Sequence, residues 1–156
     1  MQRDAELLAQ LECLNNGKSA AVAQAMDVQL SIDFLRYMAG WATKIEGSSV
    51  EVSLPLMPDD QFHSFIRREA VGVVGAIVAW NFPLLLACWK LGPALATGCT
   101  LVLKPADETP LSALKLAELV QEAGYPDGVF NVVTGTGITA GSALTRNPLV
   151  DKLTFT

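Results

Sequence analysis

The chain has 156 residues, 51% of them hydrophobic and 17% charged, with a formal net charge of −5. That length suits one domain with a sizeable core, and the apolar content excludes global disorder. The negative balance leaves no basic face, which argues against nucleic acid as the main partner.

Cys13, Cys88 and Cys99 lie far apart with no CxxC pair, a pattern of reduced thiols that points to the cytoplasm. Met1-Gln2-Arg3-Asp4-Ala5-Glu6 has no apolar stretch behind it, so it does not read as a secretion signal. The most apolar region, residues 70–103, is interrupted by Asn81, Pro83, Lys90 and Pro93. No clean span of about 20 residues remains, and the region reads as a buried core with no membrane role.

Leu7, Leu8, Leu11 and Leu14 recur at helical spacing, and Asn15-Asn16-Gly17 supplies a stop. A longer helix is predicted from about 20 to 43, with Ala21, Ala25, Val28, Ile32, Leu35 and Ala39 as its inner stripe. Gly47-Ser48-Ser49 breaks the pattern. Residues 50–54 and 62–67 then alternate apolar and polar, with Pro55, Pro58, Asp59 and Asp60 between them. They read as a hairpin at 50–69 standing away from the core, and an isolated hairpin needs another surface, such as a partner subunit.

From Gly72 onward strands and helices alternate. Strands are expected at 73–79, 100–103, 129–133 and 152–155, and helices at 84–96, after 109, and at 139–144. Thr109 is the expected cap of the middle helix, with Pro110 in its first turn and Gly124 at its end. This succession predicts an α/β fold with a parallel, Rossmann-like sheet.

The strand at 73–79 is apolar enough to be buried on both faces, and Asn81 follows at its tip, where open α/β sheets place ligands. The side-chain amide of Asn81 is suited to hold an oxyanion, although from spacing alone a plain Asn-Phe-Pro turn is slightly the stronger reading. Lys104 follows the next strand directly and can donate to a ribose hydroxyl or phosphate, with Asp107 accepting from the same ribose. A solvated loop is the ordinary alternative for such charges. Gly135-Thr136-Gly137-Ile138-Thr139-Ala140-Gly141 departs from the G-x-G-x-x-G fingerprint and by itself is weak. Cys88 and Cys99 read as small core residues, and His63 has no partners for a triad or a metal site, so no metal is expected. The basic residues of the early helices read as a solvated face.

Ala79-Trp80-Asn81-Phe82-Pro83, Leu103-Lys104-Pro105-Ala106-Asp107-Glu108-Thr109-Pro110, residues 122–133 and the closing Asp151-Lys152-Leu153-Thr154-Phe155-Thr156 resemble the aldehyde dehydrogenase superfamily. Leu14-Asn15-Asn16-Gly17-Lys18 and Tyr37-Met38-Ala39-Gly40-Trp41-Ala42 extend the resemblance over essentially the whole chain. It implies NAD(P)-dependent oxidation of an aldehyde to a carboxylic acid. Asn81 would hold the oxyanion of a thiohemiacetal, and the backbone of Ile77, Val78, Ala79 and Trp80 would line the nicotinamide side. Lys104 would contact the adenosine ribose, and Gly137 would lie near the adenine. Asp107 stands where the family often carries a glutamate. Its charge repels a 2′-phosphate, so NAD is expected over NADP.

The same resemblance makes residues 1–49 the N-terminal helices of the cofactor domain, 50–69 an oligomerisation arm of a homodimer or homotetramer, and 70–156 the NAD(P)-binding segment. The family's nucleophilic cysteine, its general-base glutamate and its Gly-Ser-Thr loop all belong after Thr156. The expectation is therefore a piece of such an enzyme, inactive alone, whose wording leans toward enzymes of aryl-acetaldehydes. The alternative is a non-catalytic nucleotide-binding or interaction module.

Overall fold

The computed structural model describes residues 1–52, 55–56 and 62–156. A short 3-10 turn at Gln2–Asp4 leads into α1, Ala5–Asn16. Leu8, Ala9 and Glu12 face inward, whereas Leu7 and Leu14 lie at the margins of the stripe and are exposed. The helix closes on Gly17, whose φ of 76° lies in the left-handed region that side chains resist.

The second predicted helix is a run in three parts: α2 (Ala20–Val22), a π-turn (Ala23–Val28) and α3 (Gln29–Ala39). Ser19 caps its start, accepting from the Val22 N–H at 3.4 Å. The π-turn adds a residue to the helical repeat, so the phase before it differs from the phase after it. The inner face falls on Ala23, Asp27, Val28, Ser31 and Ile32. The expected Ala21 and Ala25 are exposed, as is Ala39, and the α-helix stops there, before the expected residue 43.

The hairpin forms from β1 (Ser48–Val50) and β2 (Ser64–Ile66), antiparallel with Ser49 opposite Phe65. Its first strand lies earlier than the predicted 50–54, of which Ser53 and Leu54 are outside the described residues, as are Pro58, Asp59 and Asp60 of the connection. Val50, Val52, Phe62, Phe65 and Ile66 are all exposed, so this hairpin offers an uncovered apolar surface.

The remainder is the expected alternation: β3 (Val73–Ile77), α4 (Pro83–Ala96), β4 (Thr100–Lys104), α5 (Leu111–Glu122), β5 (Phe130–Val132), a π-turn at Gly137–Gly141, α6 (Ser142–Arg146) and β6 (Lys152–Phe155). The four strands make one parallel sheet in the order β5-β4-β3-β6. Asp151 ties the edge strand β6 to β3 at their starts, its carboxylate accepting from the Val73 N–H at 2.8 Å.

Val74, Ala76, Leu101 and Leu103 point to the well-packed face, with Leu84, Leu91 and Leu116 in the same core cluster. The other face carries Val73, Thr100, Val102 and Lys104 and is only partly covered, chiefly by Leu144 and Val150. The burial expected on both faces of β3 is thus complete on one face alone, because a single short helix serves the second. Helix α4 packs closely on α3: a Cβ at Gly92 would lie 2.9 Å from Met38 Cγ. Among the described residues no helix is long and apolar enough to cross a membrane.

Candidate functional site

The sheet order sets where a ligand can enter. From β3 the chain steps outward to β4 and β5, then returns to lay β6 on the opposite side of β3. This is the 3-2-1-4 portion of a doubly wound sheet, and the crevice opens where the direction reverses, at the carboxyl ends of β3 and β6. Ile77 closes β3 there, in register with Lys104 on one side and Phe155 on the other. Asn81, Lys104 and Asp107 follow the carboxyl ends of β3 and β4 along this edge.

Val78 is buried, and its N–H donates to the Lys104 carbonyl at 3.2 Å, while the Ile77 carbonyl accepts from Thr156 N–H at 3.2 Å. The segment Ala79-Trp80-Asn81 then leaves the sheet, and among the described residues its backbone groups bond to no other backbone. Trp80 is 61% exposed and Asn81 is exposed as well. Asn81 presents its amide at the rim of the crevice, with no side-chain hydrogen bond among the described residues.

Lys104 overturns the solvated-loop alternative. It is only 4% exposed, and its ammonium is paired with the Asp107 carboxylate, whose side chain remains 38% exposed. The pair sits at the end of β4, one strand from β3. Its position follows from the strand's alternation, which turns Lys104 to the same half-covered face as Thr100 and Val102. A cleft of about 470 Å³ runs along that face, bounded by Val102, Lys104, Asn131, Val133, Ala140 and Leu144. Gly137 opens the π-turn on its far wall, and a Cβ there would meet nothing within 4 Å.

These features fit one half of a dinucleotide. A side-by-side ammonium and carboxylate match the vicinal hydroxyls of a ribose, one donating and the other accepting. The β3–α4 connection carries no glycine and includes Trp80, so it does not offer the close backbone approach of the G-x-G-x-x-G turn.

The expected Thr109 cap is absent. Thr109 is buried with its hydroxyl unpartnered, and Pro110 takes the cap position of α5. Asn15 supplies the missing contact from α1: its carbonyl oxygen accepts from the Leu111 N–H, and its amide donates to Ser112 Oγ, both at 3.3 Å.

Sequence reasoning also passed over a buried polar group behind the rim. Glu12, Asp27 and Ser31 are fully buried, and Lys18, read as part of a solvated face, bonds Asp27 at 2.6 Å. Their signal was present as acids on the inward phase of two helices: Glu12 stands four places after Leu8, and Asp27 lies between Ala23 and Ser31. Burial pushes the Glu12 carboxyl up to about 7, with Ser112 and Lys18 opposing and Asp27 adding to the rise. Cys88 and Cys99 are core residues as expected, and burial drives the Cys88 thiol up to about 12, leaving it inert. Among the described residues no cluster of potential metal ligands occurs.

The fold is an α/β arrangement built on a parallel four-stranded sheet. The aldehyde dehydrogenase family model matches residues 1–156, and the chain belongs to that family. It is 60% identical over 149 residues to phenylacetaldehyde dehydrogenase of Pseudomonas fluorescens, an alignment covering 96% of this chain and 30% of that protein. It is 48% identical over 156 residues to the mitochondrial aldehyde dehydrogenase of Homo sapiens, covering 100% of this chain and 29% of that one. The NAD+ complex structure of aldehyde dehydrogenase from Bacillus cereus superposes with a TM-score of 0.92 at 48% identity, over 99% of this chain and 30% of the other. The chain thus spans about 30% of the length of these relatives.

Proposed function

We propose that this segment is the cofactor-holding part of an NAD-dependent aldehyde dehydrogenase that oxidises an aldehyde to a carboxylic acid. The observation that carries this reading is the convergence of Asn81, Lys104 and Asp107 on one edge of the sheet, at its point of reversal, in a chain of this family. Lys104 and Asp107 would grip the adenosine ribose, and the exposed Asp107 carboxylate favours NAD by repelling a 2′-phosphate. Ile77, Val78, Ala79 and Trp80 would line the nicotinamide side, with Gly137 near the adenine. When bound, the cofactor supplies the hydride acceptor.

The catalytic part of this segment is Asn81. A cysteine outside these 156 residues adds to the aldehyde, and the Asn81 amide donates to the oxyanion of the thiohemiacetal so formed. Its unpartnered state at the rim supports that role, since no internal bond need break before the substrate oxygen is bound. A glutamate, also outside, activates the water that releases the acid. Without the thiol no covalent adduct forms, so the 156 residues alone are inactive.

Aryl-acetaldehydes are the substrate class we favour, on the likeness to phenylacetaldehyde dehydrogenase. The exposed apolar hairpin supports assembly as a homodimer or homotetramer, and the three free thiols support a cytoplasmic setting. The test is Asn81→Ala in the full-length enzyme with phenylacetaldehyde and NAD. The reading expects kcat to fall about 10²–10³-fold with little change in KM for NAD. An unchanged kcat refutes it.

A further inference from the structure

Behind the rim, Lys18 joins the buried acids to the segment that carries Asn81. Its ammonium bonds the Asp27 carboxylate at 2.6 Å and lies 3.7 Å from the centroid of the Phe82 ring. Asp27 is fully buried, and its second oxygen has no partner among the described residues. Both oxygens of Glu12 are likewise buried and unpartnered, and Glu12 faces Asp27, Ser112 and Lys18. Buried oxygens of this kind are satisfied when one of the two acids is protonated and donates to the other. Burial raises the Glu12 carboxyl toward its neutral form, and Lys18 and Asp27 form an ion pair beside it.

Phe82 is the residue after Asn81 and the first before α4. Its carbonyl accepts from Leu86 N–H at 2.9 Å, but no side chain caps this helix. The Phe82 ring packs against the core beside the buried Pro83 and Leu84 and carries the lysine on its face. An ammonium over an aromatic face is held more strongly when water is excluded, and the Lys18 side chain is only 19% exposed.

We propose that Lys18 is a positioning residue for the dehydrogenase reaction: anchored by Asp27, it fixes the Phe82 ring and through it holds the Asn81 amide at the oxyanion. The inference rests on the function proposed above. It adds that the donor is aimed by a lysine from the loop between the first two helices, which touches neither substrate nor cofactor. A displaced donor weakens the transition state more than the ground state, so the loss belongs in kcat.

The experiment is steady-state kinetics of the full-length enzyme with phenylacetaldehyde and NAD, using Lys18→Met, Lys18→Arg, Phe82→Leu and the Lys18→Met/Phe82→Leu pair. Lys18→Met is expected to lower kcat about tenfold, with KM for NAD within about twofold of the parent. Arginine keeps both the ion pair and the stacking, so Lys18→Arg is expected to recover at least about a third of the parent kcat. The double variant should be no worse than the poorer single one, because both break the same link.

A parent kcat in Lys18→Met overturns the proposal, as do equal losses in the Met and Arg variants or losses that multiply in the pair. If Lys18→Met fails to fold, Lys18→Met with Asp27→Asn, which leaves no unpaired buried carboxylate, is compared with Asp27→Asn alone. If that protein is also unfolded, Lys18 is purely structural and the proposal is wrong. An inactive parent enzyme, by contrast, refutes the proposed function itself.

Discussion

Glu12→Gln should make this chain more stable, and increasingly so as the pH rises. Burial raises the Glu12 carboxyl from an ordinary 4.5 to about 7, with Asp27 adding to the rise while Ser112 and Lys18 oppose it. Because the folded value lies above the unfolded one, the contribution of this group is fully present below about 4.5. It is lost as the pH climbs through 7, since the unfolded chain releases its proton first. A shift of that size corresponds to about 3 kcal/mol, most of it developing between pH 5 and pH 8.

Glutamine mimics the protonated acid, donating an N–H toward Asp27, and does not titrate. The variant should therefore match the parent near pH 4.5 and exceed it at pH 8 by about 2–3 kcal/mol, or roughly 5–12 °C in midpoint for a chain of this size. The assay is thermal or urea unfolding of both proteins across that range, reading only their difference so that all other titrating groups cancel. A difference that stays flat with pH, or that narrows as the pH rises, would refute the raised Glu12 carboxyl.

Asp107→Ala in the full-length enzyme should raise KM for NAD and reduce its preference over NADP, measured as the ratio of kcat/KM values for the two cofactors. An unchanged ratio would remove Asp107 from the ribose site. Asn15→Ala should cost about 1 kcal/mol in urea unfolding, because α5 loses the side-chain contact at its Leu111 N–H that Asn15 supplies. Gly47→Ala would place a Cβ 1.9 Å from the Ile66 carbonyl oxygen and should pry the hairpin apart. In the full-length enzyme it should shift size-exclusion elution toward smaller species if the hairpin is the assembly arm. Calorimetric titration of NAD into the 156 residues alone should show weak or no binding if, as the family resemblance implies, the loop that approaches the cofactor phosphates lies outside them.

The alternation of strands and helices was legible because each element has its own hydrophobic period and each boundary its own punctuation. Gly17 ends α1 and Gly124 follows α5, and the four strands of the parallel sheet begin and end within two residues of the expected places. What escaped was whatever depends on contact between distant segments. The cap of α5 comes from Asn15, far away in sequence, so no local reading of Thr109-Pro110 reveals it. The π-turn at Ala23–Val28 has no strong local signal, yet it moves the inner stripe off Ala21 and Ala25. Lys104 and Asp107 read from sequence as a ribose site with a solvated loop as the alternative, and only the strand register shows the first buried and paired with the second.

The buried acids and the exposed amide express one division of labour. A donor that must meet a substrate oxygen has to stay free of internal partners, and Asn81 is free. A free side chain on an uncapped turn is poorly aimed, so the aim must come from behind, where water is excluded and a single contact holds more firmly. Lys18 against Phe82 meets that need, but a half-buried lysine requires a carboxylate and a carboxylate alone leaves lone pairs unmet. Asp27 supplies the first, and the Glu12 carboxyl, raised toward its neutral form by burial, answers the second. An acid on the inward face of an apolar helix is costly in isolation. Here its cost is offset three contacts away, where a helix start carrying no cap of its own must still hold one amide in place.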